Sequence, residues 1–501
     1  MARESRAGWA GQVGQAGQAG ERRVLIIGAD GLRPDLFDRA TMPQVAALEA
    51  SGTRFADHHA AYPSHTRVNM STLTSGTSPG RHGIVANTML VAGATPDHII
   101  DTSNYQHLDA LDDFSGGQAL RVPALGDLLA GEGSRVAVAG TGSSGSNLLW
   151  TRNDRGRIIN TNSAYGVADL YDLREKLGEI PEISWPQTDR LRYATRAVTD
   201  VFLDDPRNRV IVIWFSEPDA SLHRFGLGSP ESIAAMGSVD DCVGEMVAAL
   251  DRSGMRDQFE IFFISDHGHS TVRAHNTLRE YLVQAAADLG DRMPALATAS
   301  DYIYARPRTS EPDTTHLAPL VDWLYSQSWC DIVFSGQDGH EALPGALPLS
   351  ALWNGATNER RPLLAVSPRW TDAVNEFGVP GTVAALTTQA ALKSSHGSVS
   401  PYDMHALMIA NGPSFQEGLE SGVPTGATDL APTVLTLLGL AVPEPIDGRV
   451  LREALRCEDG DVPSAKDRIL EPVIDIRRDH PPRVRLHRVG SSSYVHGSLS
   501  P

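Results

Sequence analysis

The sequence predicts an α/β fold in which a mostly parallel central sheet is flanked by helices and carries inserted cap segments. Three observations support this prediction: short apolar runs that end at polar residues or glycine, helical patterns between several of these runs, and two long stretches that break the alternation. Strands that alternate with helices favour a parallel sheet covered on both faces. Ligands of such sheets bind at the carboxyl ends of the strands.

The apolar runs are rich in β-branched residues, as expected for buried parallel strands. They occupy residues 23–28, 135–139, 209–215, 259–264 and 405–410. Helical patterns lie between several of them, at residues 42–51 and 239–253. We therefore expect the polar residues that follow these strands to meet at one edge of the sheet.

Two stretches do not fit the alternation of strands and helices, at about residues 87–162 and about residues 293–393. We expect them to form a substrate-facing cap inserted into a catalytic domain that spans residues 23–466. The second stretch contains Tyr325, Trp353 and Trp370, which either stack on a base or fill a small core. Packing is the more common role of aromatic side chains.

The two ends of the chain differ from this domain in composition. Residues 1–22 contain Gly-Gln-Ala repeats and lack the apolar core of a secretory signal, which predicts a disordered leader and a cytoplasmic protein. Residues 467–501 form a tail rich in arginine and proline. This tail either wraps around the domain or contributes to a homo-oligomer.

Charge and cysteine usage exclude several classes of protein. The chain has 501 residues, with 43 basic and 61 acidic side chains and a net charge of −18. This balance argues against a nucleic-acid-binding protein, and no apolar run approaches the ~20 residues that span a bilayer. Cys242, Cys330 and Cys457 are too far apart for a zinc knuckle and are expected to be buried thiols. An anionic substrate therefore needs a local positive feature.

Acidic and imidazole side chains lie at or beside the ends of four predicted strands. Each of them alone has an ordinary explanation, such as a turn residue or a surface ion pair. Together they supply three carboxylates and three imidazoles, which are suitable ligands for zinc and sufficient for two metal ions. These residues are Asp30, Asp219, His223, Asp266, His267 and His396.

As an ordered set, these residues resemble the alkaline phosphatase superfamily, and within it the type I phosphodiesterase/nucleotide pyrophosphatase branch. The resemblance covers about residues 24–451 apart from the two insertions. The segments that carry it are Glu217-Pro218-Asp219 with His223, Ser265-Asp266-His267-Gly268, Thr428-Asp429-Leu430-Ala431-Pro432-Thr433 and Arg81-His82-Gly83-Ile84-Val85-Ala86-Asn87.

The resemblance implies two divalent metal ions, usually zinc, with manganese as the other candidate. One metal would be bound by Asp219, His223 and His396. The other would be bound by Asp30, Asp266, His267 and the nucleophile, which completes the set. Two cations would supply the positive feature that the acidic chain otherwise lacks.

Two frames compete for the nucleophile. The phrase that starts at Ala61 superficially resembles the family's Thr-Phe-Pro-Asn-His and would put alanine at the reactive position. The frame that starts at Thr66 keeps the family's Thr-x-x-Asn pattern, with Asn69, and its distance to Gly76, but has Val68 where the family has proline. A threonine hydroxyl can attack phosphorus and alanine cannot, so Thr66 is the predicted nucleophile.

The resemblance further implies a two-step displacement with a phospho-threonine intermediate, acting on a small phosphodiester, nucleotide or phosphonate. Asn69 would point its amide at a phosphoryl oxygen. Five other histidines near the motifs are expected to support the ligands or the fold rather than to bind metal, because the ligand set is already full. They are His58, His59, His65, His82 and His269.

Several alternatives remain open on the same residues. A phosphonate hydrolase of the phosphonoacetate hydrolase type would keep the threonine and the metal ligands. A non-catalytic protein that binds metal and nucleotide gains support if Ala61 holds the nucleophile position. A sulfatase is disfavoured because its nucleophile would be cysteine or serine. A strict phosphomonoesterase is disfavoured because no arginine stands out as a partner for a dianionic phosphate.

Overall fold

The computed structural model describes most of the chain outside the first residues. The described residues are 22–152, 157–162, 175–273, 277–307, 309–312, 314–337, 343–384, 392–456, 462–472 and 481–499. The predicted leader lies outside the described residues except for Arg22, and so does Cys457. Cys242 and Cys330 are buried free thiols, as predicted.

A nine-stranded mixed sheet forms the centre of the protein. Its strands are β1 (Arg23–Asp30), β2 (Thr53–His59), β5 (Arg135–Gly140), β6 (Ile158–Asn160), β7 (Asn208–Pro218), β8 (Phe259–Ile264), β18 (His405–Asn411), β19 (Leu419–Ser421) and β20 (Thr425–Gly426). They are ordered β19-β2-β18-β8-β1-β7-β5-β6, and β20 also pairs with β2.

The centre of this sheet is parallel, which confirms the predicted fold class. The strands β8, β1, β7, β5 and β6 run parallel to one another. Strand β18, which the sequence also predicts, is antiparallel to both of its neighbours, β8 and β2. The carboxyl ends of β1, β7 and β8 therefore meet at one edge, as the sequence analysis expects.

Helices cover both faces of the sheet. Side chains of β1 alternate between two cores: Val24 and Ile26 pack on one face, Leu25 and Ile27 on the other. The helices are α1 (Pro43–Ala50), α2 (Thr66–Ser75), α3 (Pro79–His82), α4 (Tyr105–Phe114), α5 (Leu125–Gly131), α6 (Ser144–Leu148), α7 (Thr188–Ala197), α8 (Asp219–Phe225), α9 (Pro230–Arg252), α10 (Leu278–Leu289), α11 (Thr314–Ser326), α12 (Leu349–Leu352), α13 (Pro401–Met404) and α14 (Leu430–Leu437). None of the helices in the described ranges combines the length and apolar composition needed to cross a bilayer.

The structure narrows the first predicted insertion, because β5 and β6 lie within residues 87–162 and belong to the main sheet. The part outside this sheet includes α4 and the two-stranded sheet of β3 (Thr88–Leu90) and β4 (Ile99–Asp101).

The second predicted insertion forms a separate sheet with its own apolar core. Its strands are β10 (Leu296–Ala299), β11 (Tyr302–Ala305), β12 (Cys330–Ser335), β13 (Leu347–Pro348) and β14 (Leu364–Pro368). Trp353 and Tyr325 are buried and donate hydrogen bonds to the backbone oxygens of Tyr62 and Gly345. Trp370 donates to Ser498 Oγ. These contacts agree with a packing role for the aromatic side chains.

Two smaller sheets complete the fold. The first contains β9 (Ser270–Val272), β15 (Trp370–Val374), β16 (Pro380–Val383) and β17 (Ser394–Ser395). The second contains β21 (Ala465–Leu470), β22 (Val484–Val489) and β23 (Ser492–Ser498). The described part of the tail thus forms a sheet, and its strand β23 packs against β2 and α13.

Candidate active site

The strand ends bring the six predicted ligands together in two groups. In each group, one ligand atom from every member lies within 4.8 Å of those of all the others. Site one denotes Asp30, Asp266 and His267; site two denotes Asp219, His223, His269 and His396. The two sites adjoin through the rings of His267 and His396, which are in contact.

In site one, the imidazole of His267 lies between two carboxylates. His267 Nε2 is 3.5 Å from Asp30 Oδ1 and 3.3 Å from Asp266 Oδ2. The other oxygens of these carboxylates accept hydrogen bonds, from Trp214 Nε1 at 3.1 Å and from the Gly31 amide at 3.2 Å. Asp30 Oδ1 and Asp266 Oδ2 are buried and have no hydrogen-bond donor.

The tautomer of His267 makes this arrangement suitable for a cation. His267 Nδ1 is 2.8 Å from the Gly268 carbonyl oxygen, so Nδ1 carries the proton and Nε2 presents its lone pair to the carboxylates. Hydrogen bonding of one ring nitrogen to a carbonyl is the usual way that metal-binding histidines are oriented. Three acceptor atoms therefore face one another, and these residues fit a divalent metal.

In site two, three imidazoles surround one carboxylate oxygen. Asp219 Oδ1 is 2.9 Å from His269 Nε2, 3.3 Å from His223 Nε2 and 3.6 Å from His396 Nε2. Asp219 and His223 lie one turn apart on α8, which begins where β7 ends. His223 Nδ1 and His396 Nδ1 each lie 2.7 Å from a carbonyl oxygen, of Ser394 and Ser64. Both Nε2 lone pairs therefore point inward, as in site one.

His269 differs from the other histidines of site two. Its Nδ1 is buried without a hydrogen-bond partner, and its Nε2 lies at hydrogen-bond distance from Asp219 Oδ1. This geometry suits an Nε2–H donor that orients Asp219. The sequence predicts a supporting role for His269, and the structure brings its ring into site two together with the predicted ligands.

The buried carboxylates of site one destabilise their own ionised forms through burial and through repulsion between their charges. Burial, together with the neighbouring Asp266 and Asp219 charges, holds the pKa of Asp30 well above its usual range. Burial also raises the pKa of Asp266. Buried like charges are stable in their ionised form only when cations lie among them, which is a second reason why these residues fit divalent metals.

Thr66 is the first residue of α2 and lies against site one. Its Oγ1 is 3.2 Å from His267 Nε2, and its side chain is buried. Free backbone N–H groups at a helix N-terminus favour a phosphoryl group at this position. Ala61, which the competing frame puts at the reactive position, lies in the loop before this helix. Its backbone N–H donates a hydrogen bond to Asn69 Oδ1.

Asn69 does not face the site, contrary to the sequence expectation. Its Nδ2 donates to the carbonyl oxygens of Ala61, Pro63 and His65, and its side chain is fully buried. The carboxamide therefore holds the loop that leads into α2. The Asn69 side chain points toward this loop.

A different asparagine, Asn87, contacts the first turn of α2. Its Oδ1 accepts the Arg67 backbone N–H at 3.1 Å, and its own N–H donates to His65 Nδ1 at 3.2 Å. The Nδ2 of the same carboxamide is thereby held beside the first turn of α2. The signal was present in the sequence, since Asn87 ends the Arg81–Asn87 segment that resembles the family.

Arg67 is a second residue that sequence reasoning missed. Its Nε is buried and has no hydrogen-bond partner, and its charge interacts most with Asp101 and also with Asp30, Asp219 and Asp266. Burial lowers the pKa of the Arg67 guanidinium, which these carboxylates oppose. The structure thus shows an arginine close to the predicted ligands and directly after Thr66 in the chain.

The remaining histidines near the motifs bond elsewhere. His58 Nδ1 contacts Thr425 Oγ1, and His82 Nε2 contacts Thr72 Oγ1. His65 Nε2 lies 3.7 Å from Asp301 of the second insertion. That insertion therefore reaches the residue that precedes Thr66.

Comparison with known proteins supports the family resemblance that the motifs indicate. A family model described as type I phosphodiesterase / nucleotide pyrophosphatase matches residues 24–320. The bis(5'-adenosyl)-triphosphatase ENPP4 of Pongo abelii is 21% identical over 430 residues, which cover 85% of this chain and 80% of the relative. Venom phosphodiesterase 2 of Crotalus adamanteus is 22% identical over 256 residues, which cover 50% of this chain and 27% of the relative.

The fold is similar to that of solved structures. An inactive variant of murine ectonucleotide pyrophosphatase / phosphodiesterase 5, in complex with AMP, superposes with a TM-score of 0.60 at 17% sequence identity. The match covers 87% of this chain and 100% of that chain. The resemblance stated from the motifs is confirmed by these comparisons.

Proposed function

Because this chain belongs to the type I phosphodiesterase / nucleotide pyrophosphatase family, whose named relatives are hydrolases of phosphoric esters, we propose that it cleaves phosphodiester or pyrophosphate bonds with Thr66 as the nucleophile. The observation that carries the proposal is the position of Thr66 Oγ1, 3.2 Å from His267 Nε2 at the edge of site one. The substrate would be a small nucleotide or other phosphodiester. A cytoplasmic location and a homo-oligomer stay predictions.

The metal ligands divide between the two sites. Asp30, Asp266, His267 and Thr66 would hold one divalent ion, and Asp219, His223 and His396 would hold the other. Zinc is the proposed metal and manganese the other candidate, since both accept carboxylate and imidazole ligands. When bound, the two ions supply Lewis-acid stabilisation of negative charge on the attacking and leaving oxygens.

The reaction has two displacements at phosphorus. The Thr66 hydroxyl releases its proton to solvent and forms a bond from Oγ1 to phosphorus, while the bond to the leaving oxygen breaks and that oxygen takes up a proton from solvent. Water then attacks phosphorus and releases one proton to solvent, the bond to Oγ1 breaks, and Oγ1 takes up a proton from solvent. We expect backbone N–H groups at the N-terminus of α2 and the Nδ2 of Asn87 to donate hydrogen bonds to phosphoryl oxygens during both steps.

Arg67 favours a second candidate function on the same residues. A phosphonate or a terminal phosphate carries one more negative charge than a phosphodiester. A partly buried guanidinium on the residue after the proposed nucleophile matches that charge, because arginine can bind two phosphoryl oxygens at once. Phosphonate hydrolysis of the phosphonoacetate hydrolase type therefore remains the alternative to diester hydrolysis.

The test of the proposed function compares Thr66→Ala and Ala61→Ser with the wild-type protein, each loaded with zinc or with manganese. We expect Thr66→Ala to lower the turnover of bis-p-nitrophenyl phosphate at least about 1000-fold, and Ala61→Ser to leave it unchanged. Rapid acid quench should trap phosphate on the wild-type protein and not on Thr66→Ala. If Thr66→Ala keeps full activity, the nucleophile is assigned to the wrong frame.

A separate outcome tests the enzyme itself. Wild-type protein with full metal content that is inert on phosphodiesters, pyrophosphates and phosphonates would support the non-catalytic alternative, a protein that binds metal and nucleotide.

A further inference from the structure

A third group of potential metal ligands lies outside the site described above. It joins the main sheet to the C-terminal sheet: Asp57 and His59 are on β2, His405 begins β18, His487 is on β22 and His496 is on β23. We call these five residues the C-terminal histidine cluster. None of them takes part in the proposed reaction.

The donor atoms of this cluster converge on one point. One ligand atom each from Asp57, His59, His405 and His496 lies within 4.8 Å of all the others. His405 Nε2 is 3.3 Å from His496 Nδ1, and His59 Nε2 is 3.2 Å from Asp57 Oδ1. In a tetrahedral zinc site with ligand distances of about 2.05 Å, donor atoms are about 3.3 Å apart. The separations in the cluster are of this size.

In the neutral form of His59, the Nε2 atom is a hydrogen-bond acceptor that no donor contacts. His59 Nδ1 is 3.1 Å from the Thr425 carbonyl oxygen, so Nδ1 carries the proton of the neutral ring. Its Nε2 lone pair then faces the Asp57 carboxylate, and this fully buried atom has no hydrogen-bond partner. Two acceptors 3.2 Å apart repel unless a cation or an additional proton lies between them.

The ring of His487 is oriented by a carboxylate, much as that of His59 is oriented by a carbonyl oxygen. His487 Nδ1 lies 2.7 Å from Asp467 Oδ1 on β21, which places its proton there and leaves the Nε2 lone pair toward the cluster. That Nε2 is 3.1 Å from His496 Nδ1 and 3.8 Å from Asp57 Oδ2. A carboxylate that holds the far nitrogen of a histidine is typical of metal-binding imidazoles.

The donor set of the cluster indicates the class of metal. It consists of four imidazoles, of His59, His405, His487 and His496, and the carboxylate of Asp57. Neutral imidazoles are the form that binds transition metals, whereas Ca²⁺ and Mg²⁺ prefer sites made of oxygen.

We propose that the C-terminal histidine cluster is a third metal site, which binds Zn²⁺ through Asp57, His59, His405 and His496, with His487 as a further donor beside them. The metal would link β2 and β18 of the main sheet to β22 and β23, and thereby fasten the C-terminal sheet to the domain. Because structural zinc binds to the folded state, it also stabilises that state.

The test measures bound metal in the full-length protein. Wild type, His405→Ala, His496→Ala and His107→Ala are saturated with Zn²⁺, freed of excess metal by gel filtration, and analysed by mass spectrometry of the metal. His107 serves as the control because it lies on α4, outside the three groups. We expect three equivalents in wild type and His107→Ala, and two in each cluster variant.

Further readouts separate this site from the proposed active site. Hydrolysis of bis-p-nitrophenyl phosphate by the two cluster variants should equal that of wild type, while their thermal unfolding midpoint should fall and should respond less to added Zn²⁺. Tetrahedral Co²⁺ absorption should also decrease by about one third in these variants if Co²⁺ fills all three sites.

Equal metal content in wild type and both cluster variants would overturn the proposal and would indicate a network of proton-sharing imidazoles instead. A protein that binds the third equivalent but hydrolyses no phosphoric ester would contradict only the proposed function. His405 and His496 are both partly exposed, so both alanine variants are expected to fold.

Discussion

The imidazole rings of His267 and His396 are stacked, with centroids 3.7 Å apart and planes 13° from parallel. His267 belongs to site one and His396 to site two, so the stacked pair is where the two groups of ligands meet. Each ring donates its Nδ1 proton to a carbonyl oxygen, of Gly268 and of Ser64. The distance between the two sites is therefore fixed by backbone contacts of two segments that are far apart in the chain.

Metal analysis of single variants tests the proposed ligands of site two. We expect His223→Ala and His396→Ala each to bind one equivalent less zinc than wild type, because both present an Nε2 lone pair to the site. Activity on bis-p-nitrophenyl phosphate should fall by more than the ~10–100-fold that follows loss of a residue supporting a ligand.

His269 should behave differently from these ligands. If its Nε2–H orients Asp219, His269→Ala keeps the wild-type metal content and loses about 10–100-fold in activity. His269→Gln, which can still donate from a side-chain amide, should recover part of this loss. Loss of one metal equivalent in His269→Ala would instead make His269 a ligand.

The two asparagines near the nucleophile should give opposite results. Asn87→Ala should lower kcat about 100- to 1000-fold, as expected for loss of one donor to the transition state. It should lower the free energy of unfolding by only about 1 kcal/mol, because the Arg67 N–H loses its acceptor. Asn69→Ala should lower the free energy of unfolding by about 2–4 kcal/mol, because it removes four hydrogen bonds from buried backbone groups. Kinetics and urea unfolding of both variants check this assignment, and the reverse pattern would restore Asn69 as the phosphoryl-binding residue.

Arg67 should determine how strongly the protein prefers a dianionic substrate over a monoanionic one. We expect Arg67→Ala to lower kcat/KM for p-nitrophenyl phosphate, a dianion, about 10- to 100-fold more than for bis-p-nitrophenyl phosphate, a monoanion. This range corresponds to one hydrogen bond to a charged group. Arg67→Lys, which keeps the charge but not the two-pronged geometry, should lie between the two. An equal effect on both substrates would mean that Arg67 serves the fold and not the substrate.

His82 should make stability depend on pH. Its Nδ1 accepts the Ile84 N–H and its Nε2 contacts Thr72 Oγ1, so the folded protein holds a neutral ring. Burial lowers its pKa from 6.5 to about 3. As the pH falls below 6.5, the unfolded chain takes up a proton that the folded protein does not, and stability is lost until the pH reaches about 3.

Between pH 7 and pH 5, the free energy of unfolding of wild type should therefore fall by about 2 kcal/mol more than that of His82→Asn. The asparagine can still accept the Ile84 N–H but does not titrate. Urea unfolding of both proteins at the two pH values, with the same excess of zinc, checks this difference. Parallel pH profiles of the two proteins would show that the His82 ring takes up a proton as readily in the folded protein as in the unfolded chain.

Much of the fold and most of the candidate site could be predicted from the sequence. Buried parallel strands are marked by apolar runs, and their carboxyl ends meet at one edge, so Asp30, Asp219 and Asp266 had to lie near one another. The i, i+4 spacing of Asp219 and His223 placed both on one face of a helix. These inferences depend on local patterns and on a general property of parallel sheets.

Only the tertiary structure decided which way individual side chains point. Asn69 faces the preceding loop, and Asn87 and Arg67 lie beside the nucleophile, because contacts between segments distant in sequence set these orientations. The C-terminal histidine cluster is the clearest case, since β2, β18, β22 and β23 are joined only by strand pairing and sheet packing. A sequence specifies which donors exist, but the distances between donors on separate strands arise only when the sheets assemble.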